Sequence, residues 1–407
     1  MRLLVHDYSG HPFQVELSRW LAAQGHRVRH VYSAAVETPR GPLTPKAGDP
    51  AGFDIMALAE GRHLAKYSPL RRLTQEGRYA RDLAHTIQVF APDAVLCGNC
   101  NPLIQIAAAK ASHRSGAGFV YWLQDIYAHA LRDAVGRSWR LLAPLAHRLG
   151  HAVEAYALSR SDNIVAISPP FATYAETTGL PSARVTTIPN WAPPLAKPAD
   201  DGAAWRAAHG LAGRRFLFVY AGTLGLKHDP ERLAALARHF RADPEVAVVV
   251  ASQGPGRKYL EQIKASESLT NLTLLDFQPY DTLPAMLRAA DVLLALLSPA
   301  AGGYAVPSKV LTALRAGRPV LASLPPDNLA ATTLRDSSAG LLVAPDDAAA
   351  WRTHAEDLRT DPDLRARLGA AGESFAASAF DMARIGPRFD AVLRRAAASL
   401  APAARIG

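Results

Sequence analysis

The chain has 407 residues, of which 49% are hydrophobic and 20% are charged, and its formal net charge is +9 at pH 7. This length exceeds what one hydrophobic core usually supports, so two domains of an ordinary globular protein are predicted. No segment approaches the roughly 20 apolar residues of a membrane span, and the first residues lack the apolar core of a signal peptide. Two cysteines do not make a disulfide-stapled secreted domain. We therefore expect a cytoplasmic protein.

Short apolar runs alternate with helix-length segments along the whole chain. In the first half, the predicted strands are Leu3–Tyr8, Val28–Tyr32, Ala94–Cys97, Phe119–Leu123, Asn163–Ile167 and Val185–Ile188. In the second half, they are Phe216–Ala221, Val246–Ala251, Leu272–Phe277, Val292–Leu297, Pro319–Ala322 and Gly340–Val343. This alternation indicates parallel sheets built from βαβ units. The predicted fold class is therefore α/β, with two doubly wound, Rossmann-like domains facing each other across a cleft.

The predicted domain limits follow from composition. Residues 1–190 form the first domain and residues 213–380 the second, and the proline-rich segment 191–212 links them. Residues 381–407 are predicted to form a C-terminal helix that can cross back to the first domain.

Ligands of doubly wound sheets bind beyond the carboxyl ends of the strands, so the residues that follow strands are the candidate site. Gly10 and His11 lie between the first strand and a helix, a place that favours an anion. A tight strand-to-helix turn explains the same pattern equally well. Asn99 follows the third predicted strand, and Gln124 and Asp125 follow the fourth. Asp125 either caps a turn or contacts substrate in the crevice, and we favour the second interpretation.

Two lysines follow strands in the second half. Lys227 comes after a loop that contains Gly222 and Thr223, and Lys309 follows Ser308 at a predicted helix start. The loop lacks the Gly-Lys-Ser/Thr ending of a P-loop and the three-glycine dinucleotide fingerprint. Each lysine alone is compatible with a solvated cation. Together they predict a site that neutralises both phosphates of a diphosphate without a metal.

The two cysteines, Cys97 and Cys100, have the Cys-x-x-Cys spacing between a strand and a helix. This placement lowers a thiol pKa in thiol–disulfide oxidoreductases. No second cysteine pair completes a zinc site of the four-cysteine type. We favour a structural role as small residues of the sheet, for which Cys97→Ser has a mild effect.

A basic amphipathic stretch covers residues 62–81, where arginines and a lysine alternate with leucine and tyrosine. A solvated helix face is the common explanation for such a pattern. Because the first half carries most of the net positive charge, contact with an anionic inner membrane surface is also predicted. Zinc-finger, RNP and basic-zipper motifs do not occur, so we expect no nucleic-acid partner.

Five short motifs together resemble the retaining glycosyltransferases of family 4, which have the GT-B fold, and in particular the bacterial surface-polysaccharide subgroup of the WbuB/WcaI type. The motifs are Gly25-His26-Arg27-Val28, Trp122-Leu123-Gln124-Asp125, Ile188-Pro189-Asn190-Trp191, Tyr220-Ala221-Gly222-Thr223-Leu224 and Val306-Pro307-Ser308-Lys309. The most specific stretch ends in Arg315-Ala316-Gly317-Arg318-Pro319-Val320. The likeness extends over essentially the whole chain.

This resemblance implies transfer of a sugar from a nucleotide-diphosphate donor to a lipid-linked or growing cell-surface glycan, with retention at the anomeric carbon. It implies no metal and no cofactor besides the donor substrate. The implied catalytic residues are Asp125, Lys227 and Lys309. The implied donor-binding residues are Gly10, Gly222, Thr223, Gln278, Ser308 and Thr312. The implied acceptor-side residues are His11, Gln124 and Asn99.

The chain departs from the family pattern at three places. Thr312 stands where the family carries the second of two glutamates, and residues 302–304 offer no carboxylate for the first. Thr223 replaces an arginine of the second domain's first loop. A hydroxyl makes a weaker contact than a charge-assisted bond from a carboxylate. A nucleotide-sugar epimerase of the same architecture and a non-catalytic glycan-assembly protein therefore remain alternatives, as does a thiol oxidoreductase.

Overall fold

The computed structural model describes residues 1–36, 40–61, 69–136, 139–196, 200–225, 228–299 and 308–400. The chain divides into two compact units. The first unit comprises Met1–Asn190 and the residues from Met382 onward, and the second unit comprises Trp191–Asp381.

The first unit contains seven of the described strands. In chain order its elements are β1 (Arg2–Asp7), α1 (Pro12–Ala23), β2 (Arg27–Ser33), β3 (Phe53–Leu58), α2 (Pro69–Phe90), β4 (Ala94–Gly98), α3 (Pro102–Arg114), β5 (Gly118–Leu123), α4 (Tyr127–Gly136), a 3₁₀ turn (Arg140–Leu142), α5 (Ala143–Ser159), β6 (Asn163–Ala166), α6 (Pro169–Thr177), a 3₁₀ turn (Ser182–Arg184) and β7 (Val185–Thr187). The strands are all parallel, in the order β3-β2-β1-β4-β5-β6-β7.

The second unit contains six of the described strands. Its elements are α7 (Ala203–Ala208), β8 (Phe216–Ala221), α8 (Glu231–His239), β9 (Val246–Ala251), α9 (Pro255–Glu267), β10 (Leu272–Leu275), α10 (Leu283–Ala289), β11 (Val292–Leu296), α11 (Ser308–Arg315), β12 (Val320–Ser323), α12 (Leu329–Ser337), β13 (Gly340–Val343), α13 (Ala348–Thr360) and α14 (Pro362–Ala379). The sheet is parallel, in the order β10-β9-β8-β11-β12-β13.

The last described helix, α15 (Met382–Leu400), belongs to the first unit and packs on its sheet. The ring of Phe389 lies 4.7 Å from that of Trp122, centroid to centroid. Gly118 begins β5 directly under this helix, and a Cβ there would lie 2.1 Å from the Ala396 carbonyl oxygen. Only glycine permits this approach, so α15 and β5 are matched at the level of single residues.

The twelve predicted strands all occur, with their ends shifted by no more than two residues, and the predicted α/β class is confirmed. The sequence analysis missed β3, the edge strand of the first sheet. Its residues are partly exposed from Phe53 to Ala57, with Asp54 the most exposed, and only Leu58 is buried. Strands inside a parallel sheet are covered on both faces and read as continuous apolar runs, whereas an edge strand such as β3 does not.

Each sheet reverses its strand order at one place. In the first sheet, the chain adds β2 and β3 on one side of β1 and then places β4 on the other side. In the second sheet, β8 lies between β9 and β11 in the same way. Such switch points leave a crevice at the carboxyl ends of the two flanking strands. The loops after β1 and β4, and those after β8 and β11, are therefore the places to examine.

Among the described helices, none combines the length and the apolar content that crossing a bilayer requires.

Candidate functional site

A buried aspartate organises the loop after β1 in the first unit. Asp7 is the last residue of that strand and is fully buried. Its Oδ1 accepts hydrogen bonds from the Ser9 amide at 3.1 Å and from Asn99 Nδ2 at 3.1 Å, and it lies 3.3 Å from His11 Nδ1. Its Oδ2 accepts the His11 amide. One carboxylate therefore ties the loop after β1 to the loop after β4.

The charges of this group depend on one another. Burial raises the pKa of Asp7, but the nearby His11 outweighs it by charge and hydrogen bonding, so that the pKa falls to about 2. Burial likewise lowers the pKa of His11, but the carboxylates of Asp7 and Asp125 outweigh it and the net shift is upward. The loop thus favours an imidazolium whose charge is balanced by Asp7.

Asp125 is exposed at the carboxyl end of β5, directly before α4. Glu154, a fully buried residue of α5, binds the N-terminus of that helix with its carboxylate. Glu154 accepts the amides of Tyr127 at 2.8 Å and Ala128 at 3.3 Å, together with the hydroxyl of Tyr174 at 2.6 Å. A carboxylate at a helix N-terminus satisfies amides that the helix leaves unpaired. This arrangement anchors the backbone that follows Asp125.

The remaining acceptor-side residues lie at the same edge of the first sheet. Asn99 adopts a left-handed φ of 55°, and its amide nitrogen lies 2.9 Å from His11 Nδ1. Asn190 donates to Gln124 Oε1 at 3.4 Å. The Gln124 Nε2 and Asn190 Oδ1 atoms are buried without a hydrogen-bond partner among the described residues. Gly10 is buried and its carbonyl accepts the Gly41 amide at 3.1 Å.

In the second unit, the structure brings Lys309 against Gly222. A Cβ at Gly222 would lie 2.9 Å from Lys309 Cε and 3.4 Å from Lys309 Nζ, and the φ of Gly222 is +120°. The Lys309 ammonium also lies 5.1 Å from the centre of the Tyr220 ring, over its face. Tyr220 in turn donates its hydroxyl to the Thr223 carbonyl at 2.9 Å. The loop after β8 and the helix after β11 thus meet around one cation.

The Lys309 ammonium has no ion-pair partner within the described part of the chain. Burial lowers its pKa to about 8, and no described carboxylate offsets this shift. Removing an ammonium from water without a counter-ion is unfavourable, and an anion that binds beside it offsets this penalty. This corner of the second unit is therefore suited to bind a phosphate group.

The other predicted donor-side residues either make hydrogen bonds within the second unit or are exposed. Ser308 is the exposed first residue of α11, and the Thr312 hydroxyl donates to the Ser308 carbonyl at 3.2 Å. Gln278 accepts the Trp205 indole N–H at 3.3 Å and donates to the Asp276 carbonyl at 3.2 Å. Its side chain therefore holds the loop after β10 in place. Thr223 is exposed.

Some predictions fall outside the described residues. These are Lys227, Pro307, the segment 302–304 and the first part of the basic stretch, residues 62–68. The described remainder of that stretch belongs to α2, where Tyr79 is buried and Arg72 pairs with Glu76 at 2.8 Å. The exposed cations of this part are Arg71, Arg72, Arg78 and Arg81.

The sequence analysis missed Asp7, Glu154 and Tyr220. Asp7 and Tyr220 lie inside predicted strands and read as parts of the sheet rather than of the site. Asp7 offered one signal, since a carboxylate at the end of an otherwise apolar strand is rarely buried without a partner.

Two family models match this chain. A model described as glycosyl transferases group 1 matches residues 201–375, and a model described as a glycosyl transferase 4-like domain matches residues 11–191. Together they cover most of the chain, and they agree with the resemblance found in the motifs. The first match lies in the unit of Lys309 and the second in the unit of Asp125.

One similar protein is the colanic acid biosynthesis glycosyl transferase WcaI of Escherichia coli (strain K12). It is 26% identical over 344 residues, which are 78% of this chain and 82% of the relative. Sucrose-phosphate synthase from Thermosynechococcus elongatus has a TM-score of 0.71 at 17% identity, covering 98% of this chain and 100% of that chain. Anabaena HepE in complex with UDP has a TM-score of 0.65 at 18% identity, covering 97% and 100%. At these identities the two structures show a shared fold.

Proposed function

Because the chain belongs to the group 1 glycosyl transferases, with a glycosyl transferase 4-like first domain, we propose that it moves a sugar from a nucleotide-diphosphate donor to a lipid-linked or growing cell-surface glycan. The observation that carries this proposal is the partly buried Lys309 side chain beside Gly222, without a counter-ion among the described residues. The donor binds the second unit, and the first unit presents the acceptor.

The chemistry of the donor side follows from charge. As the glycosidic bond to the diphosphate breaks, negative charge develops on the leaving phosphate, and a fixed cation stabilises it. Lys309 and the N-terminus of α11 supply positive charge at this point. Lys227, which lies outside the described residues, is the second ammonium that the family resemblance implies. These charges replace the divalent metal that many nucleotide-sugar enzymes use. The reaction therefore needs neither a metal at the diphosphate nor a further cofactor.

The acceptor side is the polar group at the end of the first sheet. Asp125 faces solvent and His11 is poised to carry a proton, so both can contact a hydroxyl. Gln124 and Asn190 lie beside each other at the same edge of the sheet, and side-chain amides of this kind can both donate to and accept from sugar hydroxyls. No residue of the sequence stands out as a covalent nucleophile, so the proposed route is same-face attack assisted by the leaving phosphate, which gives retention of the anomeric configuration.

Two of the similar proteins suggest which classes of donor and acceptor the chain uses. One similar structure holds UDP, and the Escherichia coli relative is named for colanic acid biosynthesis. A uridine diphosphate sugar as donor and a surface polysaccharide intermediate as acceptor fit both. Calorimetric titration with UDP, GDP, ADP and dTDP tests the donor side directly. We expect one of them to bind well above the others, and failure of all four would favour the non-catalytic alternative.

The transfer itself is tested with that donor and a lipid-linked acceptor fraction. We expect a product with the anomeric configuration of the donor by NMR, formed in desalted buffer without added Mg²⁺ or Mn²⁺. Incubation with donor alone separates the epimerase alternative, because an isomerised nucleotide sugar would then accumulate without an acceptor.

The acceptor class also implies a position at the inner face of the cytoplasmic membrane. An exposed apolar patch on the first unit supports this proposal: Leu141 is 95% exposed and Trp139 is 66% exposed. The other members of the apolar patch are Leu142, Leu145 and Leu149. Arg140 and Arg148 are exposed within the same segment. Apolar and cationic side chains side by side are typical of interfacial helices on anionic lipid.

Membrane binding is measured by cosedimentation with vesicles of phosphatidylglycerol and phosphatidylcholine, and with phosphatidylcholine alone. We expect binding only to the anionic vesicles, and the double substitution Leu141→Glu, Leu145→Glu should remove most of it. Val89→Glu is the matched control, because Val89 is 65% exposed but lies outside the apolar patch. Equal binding of the patch variant and the control would contradict this proposal.

A further inference from the structure

The two cysteines meet a histidine inside the first sheet. Strands β1 and β4 are parallel neighbours, and their register sets His6 opposite Cys97. His6 Nδ1 lies 3.1 Å from Cys97 Sγ, and Cys97 Sγ lies 3.8 Å from Cys100 Sγ. The three ligand atoms all lie within 4.8 Å of one another. His6 and Cys97 are fully buried, whereas Cys100 is partly exposed.

Two of these separations are close to those of a tetrahedral metal site, and the third, between His6 Nδ1 and Cys100 Sγ, is no more than 4.8 Å. With Zn–S bonds of about 2.3 Å, two sulfur ligands of a tetrahedral zinc ion lie about 3.8 Å apart. A sulfur and an imidazole nitrogen on the same ion lie about 3.6 Å apart, so His6 needs to withdraw by only about half an ångström. Two cysteines alone are too few ligands for zinc, but the strand pairing supplies the third.

We propose that His6, Cys97 and Cys100 bind one Zn²⁺ ion, which leaves a fourth position for water. The ligand set of two thiolates and one imidazole is the chemistry that zinc and similar soft cations prefer. The partly exposed Cys100 provides the side from which the ion enters.

The surroundings prepare the ligands. Zinc binds thiolates rather than thiols, so Cys97 and Cys100 each release a proton to solvent as the ion binds. His6 Nε2 lies 2.8 Å from the Tyr79 hydroxyl, so a proton on Nε2 leaves Nδ1 free for the metal.

The proposed ion would brace the acceptor side. Residues 97–100 run from the end of β4 into the loop that follows it, and Asn99 lies between the two cysteines and contacts both Asp7 and His11. Cross-linking the two ends of this turn to β1 through His6 fixes the position of Asn99. We therefore expect metal loss to loosen the acceptor side and to leave nucleotide binding by the second unit unchanged.

Cobalt titration tests the site, because thiolate–Co²⁺ bonds give intense absorption in the near ultraviolet and tetrahedral Co²⁺ gives visible bands. The chain has only two cysteines, so any such absorption comes from this pair. The reduced, full-length protein is titrated with Co²⁺ under anaerobic conditions and then with Zn²⁺. We expect saturation at one Co²⁺ per chain with tetrahedral bands, and displacement by one equivalent of Zn²⁺.

Variants assign the ligands. Cys97→Ser, Cys100→Ser and His6→Gln should each weaken Zn²⁺ binding by about 100-fold or more, because each removes one of three protein ligands. His354→Gln is the control, since His354 lies on α13 of the second unit. Far-ultraviolet circular dichroism and urea denaturation report whether each variant is folded, independently of metal and nucleotide binding.

Two results would overturn the proposal. One is a wild-type protein without thiolate–Co²⁺ absorption at millimolar Co²⁺. The other is a His6→Gln variant that binds Zn²⁺ as tightly as the wild type. Rapid oxidation of the two thiols to a disulfide in air, combined with no metal binding under anaerobic conditions, would assign the pair to redox chemistry instead.

Discussion

The two units hold charge at their switch points in opposite ways. In the first unit, the Asp7 carboxylate lies within hydrogen-bond range of amide and side-chain donors and of the His11 imidazole, so the charges there balance within the protein. In the second unit, the Lys309 ammonium lies against a glycine and an aromatic ring, with no described counter-ion. The first arrangement stabilises the native loop and orients polar groups. The arrangement in the second unit leaves a positive charge that can bind an anionic group of the substrate.

Removal of Asp7 should have the largest effect, and this effect is on stability. Asp7→Ala leaves several partly buried donors without their acceptor, and breaking a buried charged pair by removing one partner costs about 3 kcal/mol. Urea denaturation measures the free energy of unfolding. Asp54→Ala is the control, because Asp54 pairs with Arg29 at the surface and exposed pairs contribute about 0.5 kcal/mol or less. Equal losses for the two variants would remove the distinction between the sites.

Removal of the Lys309 ammonium should act on transfer rather than on stability. Lys309→Ala deletes a charge aimed at the leaving phosphate, and loss of such a group lowers kcat/KM by about 100-fold. Sugar transfer from the preferred nucleotide sugar is the measurement. Lys258→Ala, at an exposed position of α9, should stay within about twofold. A Lys309→Ala variant with wild-type turnover would end the diphosphate assignment.

The affinity for nucleoside diphosphate should depend on pH through Lys309. Burial lowers the pKa of its ammonium to about 8. The bound anion favours the charged form, so affinity is full below pH 8 and declines as pH rises through that value. If only the ammonium form binds, affinity falls about tenfold between pH 7 and pH 9. Lys309→Arg should flatten this profile in calorimetric titrations, and an unchanged profile would place the titrating group elsewhere.

Gly222→Ala should have the smallest of these effects. The added methyl would lie 2.9 Å from Lys309 Cε in a left-handed backbone conformation. We expect a loss of about 1 kcal/mol in stability and a severalfold loss of nucleotide affinity. Gly225→Ala is the matched control in the same loop, because the nearest atom to its Cβ would be 3.8 Å away. Thermal unfolding with and without nucleotide separates the two variants.

Much of the fold was predictable because buried parallel strands appear in the sequence as continuous apolar runs. Runs such as Val246–Ala251 are apolar at every position, since helices cover both faces of the sheet. The edge strand β3 was not predicted, because its residues are half exposed and carry no continuous apolar signal. The family resemblance, which depended on short motifs at strand ends, is confirmed by the matching models.

The site was predictable to a smaller extent. Post-strand positions identified Asp125 and Lys309 as candidates, and their roles stay predictions. Asp7 and His6 went unnoticed as chemical groups, because both lie within a predicted strand and their partners are about 90 residues away in the sequence. Only the pairing of β1 with β4 brings those partners within reach.

The sequence by itself determined the local elements, because hydrophobic period, glycine and proline act over a few residues. It determined the two αβ series and the loops where polar residues leave the strands. The order of the strands within each sheet was decided by tertiary packing. That order selects which two loops adjoin at a switch point, and so it alone sets Asn99 beside Asp7 and Lys309 beside Gly222. Contacts between residues far apart in sequence depend on which surfaces bury one another, and no local pattern records that choice.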